Sequence, residues 1–279
     1  CISADSSILY FCSDRPGAFG ANDIWQAPII PIVDFNGDEI VDINDLVILI
    51  EHWGTDETLC DIGPMPWGDG VVDVADLEVL MIYRHQEVLP VSLLAYWKLD
   101  ETEGNIAQDS VGNYDGTLHG NPVWQSTGGK VNGALQLDGV DDYVSTPYVL
   151  NPADGEFSVF TWLKGGAPGQ VIISQATGAN WLLADLSGGK LMTELKSPGR
   201  LAGPLVSQTV ITDGIWHRIG FVWDGSNRIL YVDDVEVAKD TQAGLAGSTG
   251  GLYIGAGKNL EPGSFFSGLI DDVRIYNRA

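Results

Sequence analysis

The chain has 279 residues, 44% of them hydrophobic and 19% charged, which excludes global disorder and allows one or two packed domains. Its formal net charge of -24 excludes a nucleic-acid or anionic-membrane binder driven by charge. No run of about 18 apolar residues codes a membrane span. The start at Cys1, without Met or a signal segment, reads as a processed or excerpted piece. Cys1, Cys12 and Cys60 leave Cys1–Cys12 or Cys12–Cys60 open as pairs.

In chain order, Ile8 to Cys12 reads as a strand, Asp14-Arg15-Pro16-Gly17 as a turn and Ile24-Trp25 as a second short strand. The run SDRPG…NDIW resembles one repeat of a PD40 (TolB-type) β-propeller. One repeat cannot bury its own faces. Either sibling blades lie outside this sequence, or the segment over 1–30 docks elsewhere as a lone β-hairpin.

Residues 31–90 form a second region, strongly acidic, with Arg84 its one basic side chain. It carries an internal repeat, Glu39 to Trp53 against Gly70 to Arg84, at an offset of 31 residues. Each copy ends in a helical pattern. Leu46, Leu49, Ile50 and Trp53 are expected on one face, with Leu77, Leu80 and Met81 repeating it. Two helices this short must be stabilised by packing.

Before each helix lies an acidic loop. Asp34, Asn36, Asp38, Asp42 and Asp45 fall at positions 1, 3, 5, 9 and 12 of an EF-hand spacing, with the Ile40 carbonyl at position 7. Such a loop gathers the six to eight oxygens that calcium takes. Position 6 is Glu39 where the turn favours Gly. An acidic turn without metal is the alternative. In the second loop Asp69, Asp73 and Asp76 fit positions 5, 9 and 12, with the Val71 carbonyl at 7 and Gly70 at 6. Asp61, upstream of an insertion from Gly63 to Pro66, is expected to return to the shell.

The duplicated loop–helix unit resembles a type I dockerin domain. That resemblance implies two calcium ions, folding that depends on them, and a module for extracellular assembly. Partner choice in that family rests on positions 10 and 11. Here these are Ile43 and Asn44, then Val74 and Ala75, a departure from the usual hydroxylated residues that argues against a cellulosomal cohesin partner.

Residues 91–279 show short strand-like runs between Gly, Asn, Asp and Pro, which predicts an antiparallel β-sandwich. The expected strands are Leu94–Leu99, Ala134–Leu137, Phe157–Leu163, Val171–Ser174, Trp216–Trp223, Ile229–Val232, Leu252–Ile254 and Leu269–Tyr276. The strand from Phe157 is apolar on nearly both faces and so central. The fold class is mainly β, a jelly roll preceded by a two-helix module. The stretches AYWKLDETEGNIAQDSVGNYDGTLHG, GALQLDGVDDYVST, DGIWHRIGFVWDGSNRILYVDDVEV and GLIDDVRIYNRA resemble the LamG-like, concanavalin A-like jelly-roll superfamily. The resemblance implies a secreted module that binds a glycan or an extracellular protein. It also implies a third calcium between Asp109, Asn113 and the last strand at Asp271 or Asp272. The alternative at Asp109 and Asn113 is a plain turn.

The superfamily includes glycosidases, which need two carboxyl groups set across the scissile bond. No E-x-D-x-x-E pattern supplies them, and Asp141-Asp142 and Asp271-Asp272 are adjacent, so they are expected on opposite strand faces. His52, His85, His119 and His217 form no metal or nucleophile motif, and His217 reads as a packing residue. No catalytic residue is expected. Trp97, Trp162, Trp216 and Trp223 read as core, and Trp124 and Trp181 as exposed sugar-stacking candidates. The leading expectation is a secreted, non-catalytic binding or adhesion protein on a bacterial surface or matrix. The alternatives are a subunit of an extracellular fibre, with the first strand paired to a neighbouring copy, and a glycosidase.

Overall fold

The computed structural model describes the backbone of residues 8–13 and 23–28, and residues 33–35, 41–64, 68–83, 92–199 and 203–279 in full. It divides into two compact units, Cys1–Pro90 and Val91–Ala279.

In the first unit, β1 (Ile8–Ser13) and β2 (Asp23–Pro28) pair antiparallel, with Phe11 opposite Trp25. The turn expected at Asp14 to Gly17 lies outside the described residues. Two helices follow, α1 (Ile43–Glu51) and α2 (Val74–Tyr83). The repeat is visible in burial. Val41 and Val72, Asp45 and Asp76, and Leu49 and Leu80 each sit 31 apart, and all six are buried. The two valines and two leucines pack with Val33, Cys60, Ile62 and Val79.

The expected helix face needs correction. Ile50, Trp53 and Met81 are exposed at 55%, 46% and 46%. Burial instead follows Asp45 and Leu49, which share a face one turn apart. The reason lies in the loops. Gly54 N–H donates to Val72 O and Val72 N–H to Thr55 O, both at 2.8 Å, which brings Val72 inward beside Val41. The helices therefore bury the row above those valines and leave their outer rows in water. Cys60 is a free, buried thiol, so the Cys12–Cys60 pair does not form; burial also raises its pKa. A Cys1–Cys12 pair lies outside the described residues.

Among the described residues the second unit holds sixteen strands, β3 to β18. In order they are Leu93–Trp97, Ile106–Ala107, Gly116–His119, Val123–Gln125, Ala134–Asp138, Tyr143–Ser145, Phe157–Gly165, Val171–Gln175, Asn180–Ala184, Lys190–Thr193, Leu205–Val210, Trp216–Trp223, Asn227–Val232, Val235–Thr241, Leu252–Ile254 and Ser267–Tyr276. They form two antiparallel sheets, one ordered β13-β12-β11-β10-β17-β8-β5-β4 and the other β16-β15-β14-β9-β18-β7-β6, with β3 also on β18. This is the sandwich that the strand pattern predicts.

Strand β9 is central, between β14 and β18, as its two apolar faces require. The core between the sheets includes Trp97, Phe157, Trp181, Phe221 and Phe266. Phe157 lies 5.3 Å from Trp181 and 5.5 Å from Phe221 between ring centroids, spacings at which aromatic pairs attract beyond simple area burial. Gly220 in β14 is required by Phe160 on the neighbouring strand, because a Cβ there would meet that ring at 2.2 Å. Arg218 stacks over the same ring, 4.8 Å from its centroid.

Candidate functional site

The two acidic loops of the first unit are held by the same device. Asp42 caps α1, and Asp45 accepts the Asp42 N–H at 2.8 Å and the Phe35 N–H at 2.7 Å, completing a capping box. In the second copy Asp76 accepts three N–H groups, from Ile62 (2.6 Å), Gly63 (2.7 Å) and Asp73 (2.6 Å). Asp45 and Asp76 are wholly buried. Each carboxylate thus ties the start of its loop to the start of its helix.

Asp61 reaches the second loop, where its carboxylate accepts from Asp69 N–H and Gly70 N–H, each at 2.9 Å. Asp69 accepts from Val71 N–H at 3.2 Å and Asp73 from Ala75 N–H at 2.8 Å. Asp61, Asp69, Asp73, Asp76 and the Val71 carbonyl are the oxygen groups of this loop that could hold a calcium ion. Their carboxylates turn to backbone N–H groups and are not drawn into a close trio. In the first loop Asp34 is half-buried, and Asn36, Asp38 and Ile40 lie outside the described residues. At position 10 of the two loops, Ile43 and Val74 stand 60% and 58% exposed.

Among the described residues, one trio of acidic side chains brings a ligand oxygen from each within 4.8 Å, namely Asp138, Asp141 and Asp142. Asp142 is buried, and its oxygens are taken by Asn121 N–H at 2.6 Å and Asp138 N–H at 3.0 Å. Burial nonetheless pushes its pKa up.

The residues expected around a third calcium have protein partners. Asp109 accepts N–H groups from Tyr96 (2.8 Å), Val111 (3.1 Å), Gly112 (2.9 Å) and Tyr114 (3.1 Å), which shapes the turn through Asn113. Asp272 accepts from the Tyr96 hydroxyl and lies 3.6 Å from Arg274. One tyrosine therefore holds both carboxylates, by its backbone and by its ring. Strict alternation also fails at the Asp271-Asp272 pair. The β9–β18 register slips between Asp271 and Arg274, and Asp272 sits at φ 55°, so both aspartates are buried. Asp271 accepts from Lys130 N–H at 2.7 Å and Val131 N–H at 2.9 Å with one oxygen, while its other oxygen has no partner. Burial drives its pKa to about 7, the negative Asp272 adding to the rise and the two N–H bonds opposing it.

The aromatic expectations divide. Trp97 and Trp223 are buried as expected, and Trp162 is half-buried under the Lys130 ammonium, 5.0 Å from its centroid. Trp216 is half-buried and Trp181 wholly buried against Phe157, so Trp181 is no exposed platform. Trp124 is half-buried and donates from Nε1 to Gly104 O at 2.9 Å. His217 packs in the sheet with Asp233 at 2.8 Å and Asp213 at 3.1 Å.

A site that sequence reasoning missed lies at one end of the first sheet. A cavity of about 410 Å³ opens between the β10–β11 turn, the segment after β12, the loop before β17 and Lys258. Its polar side chains are Gln175, Thr177, Glu194, Lys196, Ser248 and Lys258. Gln175 is wholly buried, and its amide nitrogen donates to Leu150 O at 2.9 Å, Gly250 O at 3.0 Å and Ser248 O at 3.4 Å. Its amide oxygen has no partner. Thr177 holds φ 62°, a left-handed conformation that a β-branched residue adopts at a cost. Glu194 and Lys258 lie 3.7 Å apart across the cavity wall.

Known structures share the sandwich. The binding domain of Paraclostridial Mosquitocidal Protein 1 is 12% identical at a TM-score of 0.54, covering 67% of this chain and 49% of that one. The receptor binding domain of botulinum neurotoxin D is 16% identical at a TM-score of 0.50, with 67% and 49% covered. Domain 4 of an extracellular arabinanase from Geobacillus stearothermophilus, solved with arabinotriose, is 22% identical at a TM-score of 0.45, with 67% and 93% covered. This chain spans about half the length of the two toxin domains. No curated protein sequence matches it closely enough to count as a relative. The family model of the concanavalin A-like lectin/glucanases superfamily matches residues 138–279, just over half of the sequence, and the chain belongs to that superfamily.

Proposed function

We propose that the protein is a non-catalytic binding module that holds a small glycan in the cavity beside Gln175, and that it works outside the cell. The observation that carries this reading is the cavity itself. At about 410 Å³ it has the size of a small-ligand site. Its wall combines a cation–carboxylate pair and a strained backbone, features that folding alone does not reward. Sugars present hydroxyl groups that both donate and accept, which such a wall matches. Two sandwiches of similar fold are the binding domain of Paraclostridial Mosquitocidal Protein 1 and the receptor binding domain of botulinum neurotoxin D, which suits a binding role.

The same proposal gives calcium to the acidic loops of the first unit, through Asp34, Asn36, Asp38, Asp42 and Asp45, and through Asp61, Asp69, Asp73 and Asp76. The support is the ligand spacing and the return of Asp61 to the loop. A glycan array probed with the intact chain in millimolar calcium tests the binding reading. Retention on a defined set of glycans is expected. A blank array, or release of free sugar from any spot, would contradict it.

A further inference from the structure

We infer that the cavity beside Gln175 selects a sugar carrying a single negative charge, a carboxylate or a sulfate, over its neutral parent; this rests on the binding reading above. The chain has 14 Lys and Arg against 38 Asp and Glu, yet two of those few cations line one cavity. Lys196 and Lys258 outnumber Glu194 there, so a locally positive site sits on a strongly acidic molecule. Among the described residues no carboxylate pairs with Lys196. Lys258 meets Glu194 only at 3.7 Å, with both side chains about a third exposed. Such a half-exposed pair is weak, so a ligand anion can compete for the ammonium.

The neighbouring groups suit the rest of a sugar ring. The buried Gln175 amide braces the cavity wall, its nitrogen donating to Leu150 O at 2.9 Å and Gly250 O at 3.0 Å. Glu194 adds a carboxylate acceptor to the lining, beside the Ser248 hydroxyl, which donates to Ala176 O at 3.3 Å. The backbone holds this arrangement in place. Lys258 N–H donates to Asn180 Oδ1 at 3.0 Å, Glu194 N–H to Asn180 O at 3.0 Å, and Ala246 N–H to Lys196 O at 2.8 Å. Asn180 thus fixes both ends of the Glu194–Lys258 wall.

The net charge of -24 limits the ligand further. Beyond a Debye length of about 8 Å at physiological salt, a polyanion meets the repulsive field of the whole molecule, whereas one charge in the cavity feels the two lysines first. A monoanionic sugar is therefore favoured over a long sulfated chain.

The test is titration calorimetry of the intact chain in calcium, using N-acetylneuraminic acid, glucuronic acid, galacturonic acid and galactose 6-sulfate against glucose and galactose. At least one acidic sugar is expected to bind at least about tenfold more tightly than the neutral pair. Lys196→Gln or Lys258→Gln should each cost about tenfold, one charge-assisted bond, with the melting temperature unchanged. Equal binding of acidic and neutral sugars, indifferent to both lysine variants, would overturn the inference and leave the binding reading standing. So would silence from all four acidic sugars while the array retains a neutral glycan. A blank array removes the binding reading itself.

Discussion

At the residue scale the buried carboxylates carry the clearest physical consequences. Asp76 satisfies three buried or half-buried N–H groups at once. Asp76→Ala leaves those donors without partners, at about 1–3 kcal/mol for a buried one. The first unit of this variant should melt at markedly lower temperature than wild type, with the sandwich transition unmoved. Asp271 acts in the opposite sense. Its folded pKa of about 7 lies above the ordinary carboxylate value, so the folded state holds a proton that the unfolded chain has lost. Its stabilisation is complete below the unfolded pKa, near pH 4, and is lost as pH rises toward 7, by up to about 1.4 kcal/mol per unit. Melting of the sandwich at pH 5 and pH 8 should show that slope. Asp271→Asn, which mimics the protonated acid, should flatten it; an unchanged slope would remove Asp271 as its source.

Elements explain what could and could not be read in advance. The repeat at an offset of 31 was legible because Asp45 and Asp76, and Leu49 and Leu80, recur with their roles intact. Which helix face packs was not legible. Ile50 and Trp53 match the apolar period as well as Leu49 does, and only the loop pairing at Val72 decides between them. Strand β11 was missed because Trp181 was read as a surface aromatic, and an apolar run with one aromatic looks the same in either setting.

Arg228 in β15 is another element-scale feature, wholly buried although charged. It pairs with Asp240 in β16 and donates to Leu195 O and Gly203 O, so it anchors the segment that carries Lys196. Arg228→Met should destabilise the sandwich by about 3 kcal/mol, because it strands a half-buried carboxylate and two carbonyls. It should also weaken sugar binding more than Lys196→Gln does. The loops allow a parallel expectation for the first unit. An ion present at about 100 times its dissociation constant adds roughly 2.7 kcal/mol to the folded state. Chelator should lower the melting temperature of that unit, and Asp38→Ala should reproduce most of the loss from the first loop. An unchanged melting curve in excess chelator would contradict calcium there.

Across the whole molecule, the sandwich follows from short strands and turn residues, and its central strand from the two apolar faces of Phe157–Gly165. The cavity does not follow from any local pattern. Gln175, Glu194, Ser248 and Lys258 lie far apart along the chain and meet only because β10 pairs with both β11 and β17. Charge was read as a bulk property, but the meeting of Lys196 and Lys258 in one cavity needed the fold. The measurement that bears most directly on the binding claim is a nitrogen-15 amide NMR titration of the intact, calcium-loaded chain with the sugar that the array and calorimetry select. Saturable shifts should concentrate at Thr177, Gly178, Ala179, Ala246, Gly247 and Lys258. Shifts centred on Asp138 to Asp142 or on the helices of the first unit, with these six amides unmoved, would contradict the account.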